Sequence, residues 1–160
     1  MPRNLVLRRS HIHGNGVFAA RDLPAGLRVI EYRGERRSHT EIDLCYGGDT
    51  DSGHTFLFTL NDEFVIDGNV SGNMARWINT SCDPNCETTI VEHPGSDRRR
   101  DKVYIETIRP IRAGEELTYD YCITLDEPHT PKLRKIWQCR CGTSACTGTM
   151  LRPKRKRARR

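Results

Sequence analysis

The stretch RWINTSCDPNC, residues 76–86, joins a short helical window to a polar turn with a cysteine on either side. The window begins upstream, at GNMARWI (72–78), and is apolar on one side. The segment DPN (83–85) consists of residue types that favour a turn. Cys82 precedes this turn and Cys86 follows it. The stretch therefore holds two thiols on one short loop.

Three more cysteines lie within eight positions of QCRCGTSACTG (138–148), and the chain has seven in total. An odd number of cysteines, clustered towards one end, favours a reduced compartment and a metal site over a disulfide framework. Zinc held by thiolates takes four ligands, so these three cysteines need a fourth from elsewhere in the chain. The seven cysteines are at positions 45, 82, 86, 122, 139, 141 and 146.

Basic residues are concentrated at the C-terminal end. The stretch RPKRKRARR (152–160) contains seven of the 26 Lys and Arg residues and no acidic residue. The rest of the chain carries 19 basic against 21 acidic residues, so a slightly acidic body underlies the formal net charge of +5. We expect a disordered tail, because a run of like charges has no apolar surface to bury. Such a tail attracts phosphates, acidic surfaces or a nuclear import receptor, or is only a solvated end.

The length and the apolar pattern indicate one domain that does not enter a membrane. A chain of 160 residues is large enough for a single core. The segment MPRNLVLRRSHIHGNGVF (1–18) has no apolar run typical of a signal peptide, and no stretch of 18 apolar residues occurs. We expect an intracellular protein, nuclear or cytoplasmic, that is not secreted through a classical signal peptide.

Short β-like runs separated by turn residues dominate the chain, which predicts a mainly β fold. The runs are LVLRRS (5–10), GVFAAR (16–21), LRVIEYRG (27–34), TFLFTL (55–60), EFVIDG (63–68), TTIVEH (88–93), KVYIETI (102–108) and ELTYDY (116–121). Two windows favour helix, SHTEIDLC (38–45) and GNMARWI (72–78). The polar stretch EPHTPKLRK (127–135) is interpreted as a loop.

Five motifs follow one another along the chain. They are HGNGVFA (13–19), EYRGE (31–35), RWINTSCDPNC (76–86), GEELTYDY (114–121) and CRCGTSACTGTML (139–151). In this order they resemble the SET-domain protein lysine methyltransferases with a post-SET zinc segment. The form is a minimal one, because no pre-SET cysteine cluster precedes position 13.

The resemblance implies a fold of several small twisted β-sheets with a C-terminal pseudoknot and little helix, in agreement with the strand-rich pattern. It divides the chain into three parts: a SET domain over 1–122, a linker and post-SET zinc segment over 123–151, and the disordered basic tail over 152–160.

The resemblance also implies a site for S-adenosylmethionine as methyl donor, with contacts made largely by the backbone of the glycine-containing turn. Glycine suits such a turn, because its main chain approaches a ligand closely. The position after Asn79, where the family has histidine, is Thr80 here, and a hydroxyl replaces only part of the hydrogen bonding of an imidazole. The expected cofactor residues are His13, Gly14, Asn15, Gly16, Arg76, Asn79 and Thr80.

By the same resemblance, Tyr121 matches the catalytic tyrosine and Tyr119 the position where the family has Phe or Tyr. Alternation along a strand puts both phenols on one face. Tyrosine at position 119 favours mono- or dimethylation in this family. Phe56 and Trp137 are the further expected walls of the lysine channel. Without the flanking motifs, the two tyrosines would be interpreted as paired core aromatics.

The resemblance supplies the fourth metal ligand as well. It matches Cys82 to the family ligand that completes a site with Cys139, Cys141 and Cys146, while Cys86 remains a rival four residues further on. Four thiolates indicate one structural Zn²⁺, because catalytic zinc keeps a position open.

The leading hypothesis is methylation of a lysine on a histone or another basic, DNA-associated protein. A catalytically weakened module that binds S-adenosylmethionine or a peptide is the alternative, prompted by Thr80 and Phe56. A third hypothesis makes the protein a nucleic-acid binder that acts through residues 152–160. A weak nucleic-acid or acidic-surface contact of this tail is also compatible with the first hypothesis.

Overall fold

The computed structural model describes residues 3–46, 56–125 and 127–153. Within these residues the chain forms ten strands: β1 (Leu5–Arg9), β2 (Asn15–Ala19), β3 (Arg28–Glu31), β4 (Glu35–Ser38), β5 (Leu57–Thr59), β6 (Phe64–Asp67), β7 (Asn79–Thr80), β8 (Cys86–Val91), β9 (Lys102–Thr107) and β10 (Thr118–Tyr119). The helices of the same ranges are α1 (His39–Tyr46), α2 (Pro131–Ile136) and the 3-10 helices Met74–Trp77 and Arg98–Arg100. The mainly β class is thereby confirmed.

The strands of the described residues form four small sheets. Two sheets are three-stranded and antiparallel, in the orders β3-β9-β8 and β4-β6-β5, and β1 and β2 form an antiparallel hairpin. The fourth sheet pairs β7 with β10 in parallel, so that Asn79 lies opposite Thr118 and Thr80 opposite Tyr119. This short parallel pair brings two motifs that are distant in sequence side by side.

A single apolar core joins the sheets, and β9 shows how the sequence produces it. Val103, Ile105 and Thr107 alternate with more exposed residues along this strand, so one face is buried. The largest buried side chains of the core are those of Leu60, Ile66, Ile78, Ile105, Ile111 and Leu117.

The C-terminal segment has a small core of its own. Leu133 of α2 packs with Trp137 and Leu151, and Ile123 lies against them. Leu151 also forms a parallel bridge with Ile123, and the N–H of Arg152 donates to the Ile123 carbonyl at 2.8 Å. Residues 152 and 153, which the sequence assigned to the basic tail, are thus among the described residues. Residues 154–160 lie outside the described residues.

The interpretation of residues 127–135 as a loop is wrong from Pro131 onwards. The Thr130 hydroxyl accepts a hydrogen bond from the Leu133 N–H, and Pro131 occupies the first turn, so the helix begins with a side-chain cap and a favourable proline. The second helical window forms only the 3-10 helix Met74–Trp77. No helix in the described ranges is long and apolar enough to cross a membrane.

Candidate functional site

The glycine-containing turn after β1 is held tightly against the rest of the chain. Gly14 has a φ of 46°, a left-handed conformation that glycine adopts without strain, and its carbonyl accepts from the Ser10 N–H at 2.8 Å. A Cβ on Gly16 would collide with the Glu116 carboxylate. The Ser10 hydroxyl donates to the same carboxylate at 2.7 Å. The turn therefore depends on glycine at both positions.

Asn79 ties this turn to the parallel strand pair. Its side-chain amide donates to the carbonyls of His13 and Asn15 at 3.1 and 3.0 Å and to the Glu116 carboxylate at 2.8 Å. Because these acceptors come from the turn and from the segment before β10, one buried amide fixes three parts of the site. The Asn79 side chain therefore has a structural role in the site, which does not depend on any contact that its backbone makes.

A first cleft opens between the turn, β7 and the C-terminal segment. Three cationic or ionisable side chains, His13, Lys135 and Arg140, lie among its lining residues. The lining as a whole is Ile12, His13, Asn79, Thr80, Tyr121, Lys135, Ile136, Gln138, Arg140 and Met150. This mixture of apolar and cationic groups suits a ligand with both an apolar and an anionic portion.

Thr80 supports Tyr121 directly. Its hydroxyl accepts a hydrogen bond from the Tyr121 N–H at 3.1 Å, and the residue is only 7% exposed. A buried backbone N–H without a partner would be costly, so this hydroxyl satisfies a group that the short strand β10 leaves unpaired. The threonine therefore stabilises the backbone at Tyr121, just after β10.

Tyr121 borders two clefts at once. It lines the first cleft together with Thr80 and a second cleft together with Tyr119. Its hydroxyl donates to the Ile78 carbonyl at 2.5 Å, which fixes the ring. Burial raises the pKa of Tyr121 above its ordinary value, and the nearby Tyr32 and Glu116 add to the effect. The phenol is therefore held protonated and oriented.

Tyr119 lies beside Tyr121 and is 6% exposed. The two ring centroids are 5.0 Å apart at an interplanar angle of 48°, and the Phe58 ring is 6.3 Å from that of Tyr119. Burial raises the pKa of Tyr119 well above its ordinary value, with smaller contributions from Tyr121 and Tyr32. Two neutral phenols thus share one apolar wall.

The second cleft has an aromatic floor and strand edges on its sides. Tyr32 and Phe58 pack there with ring centroids 5.2 Å apart, and the Tyr32 hydroxyl donates to the Phe56 carbonyl at 2.8 Å. Trp137 lines this cleft, as the sequence predicted for a channel wall. Tyr32 and Phe58 were not predicted as site residues, although Tyr32 belongs to the quoted EYRGE motif.

Five predicted residues are not among the lining residues of the cleft expected for them: Gly14, Asn15, Gly16, Phe56 and Arg76. Phe56 is not among the lining residues of the second cleft; its ring packs edge-on against Trp77 at 4.9 Å, and Phe58, two residues on, takes the wall position. Arg76 does not line the first cleft, where a cofactor contact was expected, but the second. Its guanidinium donates to the Gly68 carbonyl at 3.2 Å and lies 5.0 Å from the centroid of the Trp77 ring.

Four cysteines converge behind the first cleft. The sulphur atoms of Cys82, Cys139, Cys141 and Cys146 all lie within 4.8 Å of one another, and those of Cys82 and Cys139 are 3.7 Å apart. Zinc–sulphur bonds of about 2.3 Å in a tetrahedron put the sulphur atoms about 3.8 Å apart. The cluster therefore has the donor atoms and the dimensions of a metal site.

Within the cluster, burial raises the pKa of the Cys139 thiol, whereas Cys141 favours the thiolate; Cys86 lies outside the cluster. Burial alone raises the pKa of Cys141, but hydrogen bonds from the Cys82 N–H and from Thr143 outweigh burial and lower it to about 5. Cys86 is 1% exposed in the apolar core, where burial raises the pKa of its thiol to about 12. Cys86 is therefore placed as a core residue.

Sequence reasoning did not name the residues of α2 and the cysteine cluster that line the first cleft. Lys135, Ile136 and Gln138 reach it from α2 and the residues after it, and Arg140 lies between two cysteines of the cluster. The apolar spacing of Leu133, Ile136 and Trp137, together with the capping Thr130, was the available signal for this helix.

Comparison with known proteins gives one family and many relatives. The profile of the SET domain matches residues 14–122. The chain is 38% identical over 140 residues to the histone-lysine N-methyltransferase trithorax of Drosophila virilis, covering 86% of the chain and 3% of that protein. It is 40% identical over 146 residues to the histone-lysine N-methyltransferase trr of Drosophila melanogaster, covering 89% of the chain and 6% of that protein.

A fungal relative gives a similar match. Identity to the H3 lysine-4 specific histone-lysine N-methyltransferase of Chaetomium globosum is 37% over 142 residues, or 88% of the chain. The match covers 12% of that protein. The chain thus spans a small part of the length of each of these curated relatives.

Proposed function

The chain belongs to the SET-domain family of protein lysine methyltransferases, and we propose that it transfers methyl groups from S-adenosylmethionine to a lysine of a histone. The observation that carries this proposal is the position of Tyr121, which borders both clefts. A methyl donor in the first cleft and a lysine entering from the second would meet beside its ring. Two separate entrances suit a reaction in which one product leaves while the other substrate stays bound.

The first cleft fits the donor chemically. S-adenosylmethionine, when bound, supplies a methyl group on a positively charged sulphur. Its carboxylate would find a cation in Lys135 or Arg140, and apolar contact would come from Ile12, Ile136 and Met150. His13, next to Gly14 in the turn, is the residue of the turn that lines this cleft. We assign no cofactor contact to Arg76.

The second cleft would lower the pKa of the substrate lysine. A lysine ammonium has a pKa near 10.4 in water, and an apolar site lowers that pKa because burial disfavours the charged form. The aromatic wall of Tyr32, Phe58 and Trp137 supplies such surroundings. The lysine nitrogen, once neutral, attacks the methyl carbon in line, and the carbon–sulphur electron pair stays on the sulphur.

Tyr121 orients the amine and does not act as the base in this scheme. Its raised pKa keeps the phenol protonated at neutral pH, so it cannot accept the lysine proton. Its hydroxyl, held by the Ile78 carbonyl, defines one edge of the channel. The proton of the lysine therefore leaves through water. Positioning of two bound reactants can lower the barrier by up to about 7–11 kcal/mol.

Tyr119 limits the number of methyl groups in this proposal. Its hydroxyl can hold a water molecule or the amine, which takes the space that a dimethylated lysine needs to turn for a third transfer. The side chain is confined by Tyr121 and Phe58, so it cannot swing away easily. Mono- and dimethylation are the expected products.

One Zn²⁺ ion held by Cys82, Cys139, Cys141 and Cys146 would have a structural role. The four sulphurs leave no coordination position for water or substrate. Cys82 is two residues from Thr80, and Arg140 lies between two of the cysteines, so the metal would hold one wall of the first cleft against the strand pair. We place its action in assembling the donor site.

The relatives support a histone substrate and a nuclear compartment. Those compared above are named as histone-lysine N-methyltransferases, and one is named as specific for H3 lysine 4. A histone substrate implies action in the nucleus. Lysine 4 of histone H3 is accordingly the first target to test.

The test is methylation of recombinant histone H3 and of peptides spanning its lysines, with radiolabelled S-adenosylmethionine and mass-spectrometric mapping. Tyr121→Phe removes one hydroxyl and should lower kcat by about 100-fold, because one lost hydrogen-bonding group at a reacting centre has that order of effect. Tyr104→Phe is the matched control, since that ring lies under Arg28 on another sheet.

Two results would contradict the proposal. Equal activity of the wild type and Tyr121→Phe would remove the tyrosine from the reaction. Binding of S-adenosylmethionine in calorimetry, without methyl transfer to any histone or lysate protein, would favour the weakened binding module instead.

A further inference from the structure

We propose that a basic surface at the β8–β9 connection binds the phosphate backbone of duplex nucleic acid. We call it the loop surface and define it by five residues: Arg36, His93, Arg99, Arg100 and Lys102. These side chains border one concavity, and the only acidic residue among its lining residues is Glu31. The site is separate from both clefts and from the cysteine cluster, and its binding does not depend on methyl transfer.

Two of the three acidic residues of this connection, Asp97 and Asp101, are engaged in hydrogen bonds within it, while Glu92 is exposed. Asp101 is 2% exposed and accepts hydrogen bonds from the His93 N–H at 2.9 Å and from the Asn61 amide at 3.0 Å. Asp97 accepts from the Arg99 N–H and begins the 3-10 helix. Both carboxylates are therefore occupied within the loop, and the basic side chains that follow them are presented to solvent.

The basic residues divide into one that is paired and three that are not. Arg98 forms ion pairs with Asp62 and Glu63. Arg99, Arg100 and Lys102 have no ion pair within the described part of the chain. Arg99 lies 4.9 Å above the Phe64 ring, a contact that holds its side chain at the surface. These three adjacent exposed cations are available to an external anion, although Arg99 also interacts electrostatically with Glu41.

Arg36 adds a fourth cation from a different strand. Its guanidinium donates to the Asp101 carbonyl at 3.1 Å and lies 3.9 Å from the Glu31 carboxylate. Its Nε is buried and has no hydrogen-bond partner among the described residues. Glu31 is itself shared with Arg33 at 3.1 Å, so it neutralises the concavity only in part.

Nucleic acid fits this surface better than an acidic protein does. Every lining side chain of the concavity is charged or ionisable, so it favours a partner with closely repeated negative charge. Phosphates recur along one strand of a duplex about every 3.4 Å, so neighbouring cations can contact several of them together. Since no base-reading element accompanies the cations, the expected binding is independent of sequence.

The test measures the affinity of the full chain for a fluorescent duplex DNA by anisotropy between about 50 and 200 mM salt. The triple variant Arg99→Gln, Arg100→Gln, Lys102→Gln should bind at least tenfold more weakly. The slope of log K against log salt should fall in magnitude by about 2 to 3, because each phosphate contact contributes about 0.9. A second variant, Arg99→Lys with Arg100→Lys, keeps the charge and should keep the slope.

The matched control removes three arginines outside the loop surface, Arg8→Gln, Arg28→Gln and Arg109→Gln, of which Arg28 and Arg109 already have acidic partners. It changes the net charge equally and should leave the slope within about 1 of the wild type. If the control loses as much affinity for the duplex as the triple variant does, the effect comes from overall charge alone and the proposal is overturned. Weaker binding of the triple variant to polyglutamate, with unchanged binding to the duplex, would assign the surface to an acidic protein and also overturn it.

The contribution of the tail is separated by a parallel series. In a chain whose basic residues within 154–160 are replaced by glutamine, the triple variant should still lower the slope by the same amount. If the triple variant and its parent have the same slope in this background, DNA binding belongs to the tail alone and the proposed role of the loop surface is wrong.

Discussion

Arg152, in the C-terminal segment, forms an ion pair with Asp120, the residue between Tyr119 and Tyr121. The other Asp120 oxygen accepts from the Cys122 N–H at 2.8 Å. The Arg152 backbone donates to Ile123 on the same stretch. The segment that carries the cysteine cluster is therefore attached to the tyrosine strand by both a side chain and the backbone.

Arg152→Ala should lower kcat about two- to fivefold, because an ion pair exposed to this degree contributes up to about 1 kcal/mol. Its melting temperature should change little, since the backbone contact to Ile123 remains. Arg152→Lys should recover most of the activity. Steady-state methylation with saturating peptide measures the effect, and a variant that loses stability in proportion to activity would make the residue purely structural.

Thr80→Val should destabilise the protein by about 1–3 kcal/mol, because it leaves the buried Tyr121 N–H without an acceptor. Thr80→Ser keeps the hydroxyl and serves as the matched control. Urea unfolding gives the free energy of unfolding of each variant. If valine and serine give the same free energy of unfolding, the hydrogen bond from the Tyr121 N–H contributes nothing to stability.

The rate of methylation should rise with pH up to about pH 9, as more of the substrate lysine loses its proton. Burial raises the pKa of Tyr121, so its phenol stays neutral over this range and adds no second titration. Tyr121→Phe should lower the whole pH profile without moving it. A rising limb present in the wild type and absent from Tyr121→Phe would show that the tyrosine accepts the proton after all.

Alkylation by iodoacetamide should distinguish the cysteines. In the zinc-loaded protein, the exposed Cys45 and Cys122 should react fastest. Chelation should then expose Cys82 together with Cys139, Cys141 and Cys146, while Cys86 stays unreactive because its buried thiol has a pKa of about 12. Peptide mapping reads the result. If zinc protects Cys86 from labelling while Cys82 is labelled with and without zinc, then Cys86 and not Cys82 is the fourth ligand.

Chelation should also abolish binding of S-adenosylmethionine before the β core unfolds, since metal binding and folding of the C-terminal segment are coupled. Far-ultraviolet circular dichroism and calorimetry on the same sample separate the two losses. Undiminished cofactor binding after complete removal of zinc would contradict the assembly role of the metal.

Tyr119→Phe should shift the product towards trimethyllysine, because it removes the hydroxyl while keeping the ring between Tyr121 and Phe58. Mass spectra of the methylated peptide over time give the distribution. Phe58→Leu is a useful control, since it loosens the same wall without touching a hydroxyl. Abundant trimethyl product from the wild type would contradict the proposed limit.

Sequence patterning predicted the strands better than it predicted the walls of the site. Residues 102–108 alternate clearly, and β9 forms there, since period-two burial is a local property. The polar strand β4 carries no such signal and exists because it pairs with β6. Tertiary pairing of this kind cannot be deduced from ERRS alone.

The cysteine motif and the tyrosine pair were recognisable because their spacing is local. The wall of the second cleft was harder to predict. The sequence predicted Phe56, but Phe58 lines the cleft, because a two-residue offset in a loosely matched segment changes which ring faces it. The role of Arg140 could not be deduced either, because it arises only when the cysteine cluster folds back on the turn at His13.

The hydrogen bonds of the glycine-containing turn join residues very far apart in sequence. Ser10 and Glu116 are 106 residues apart, Asn79 and His13 are 66 apart, and Cys82 and Cys139 are 57 apart. Contacts of this range slow folding, because the chain must close long loops before any of them forms. During synthesis, the N-terminal turn therefore cannot assemble until Glu116 has left the ribosome, and the cysteine cluster cannot form until Cys146 has. A nascent chain released early would hold neither cleft, so this domain acquires its site in one late step.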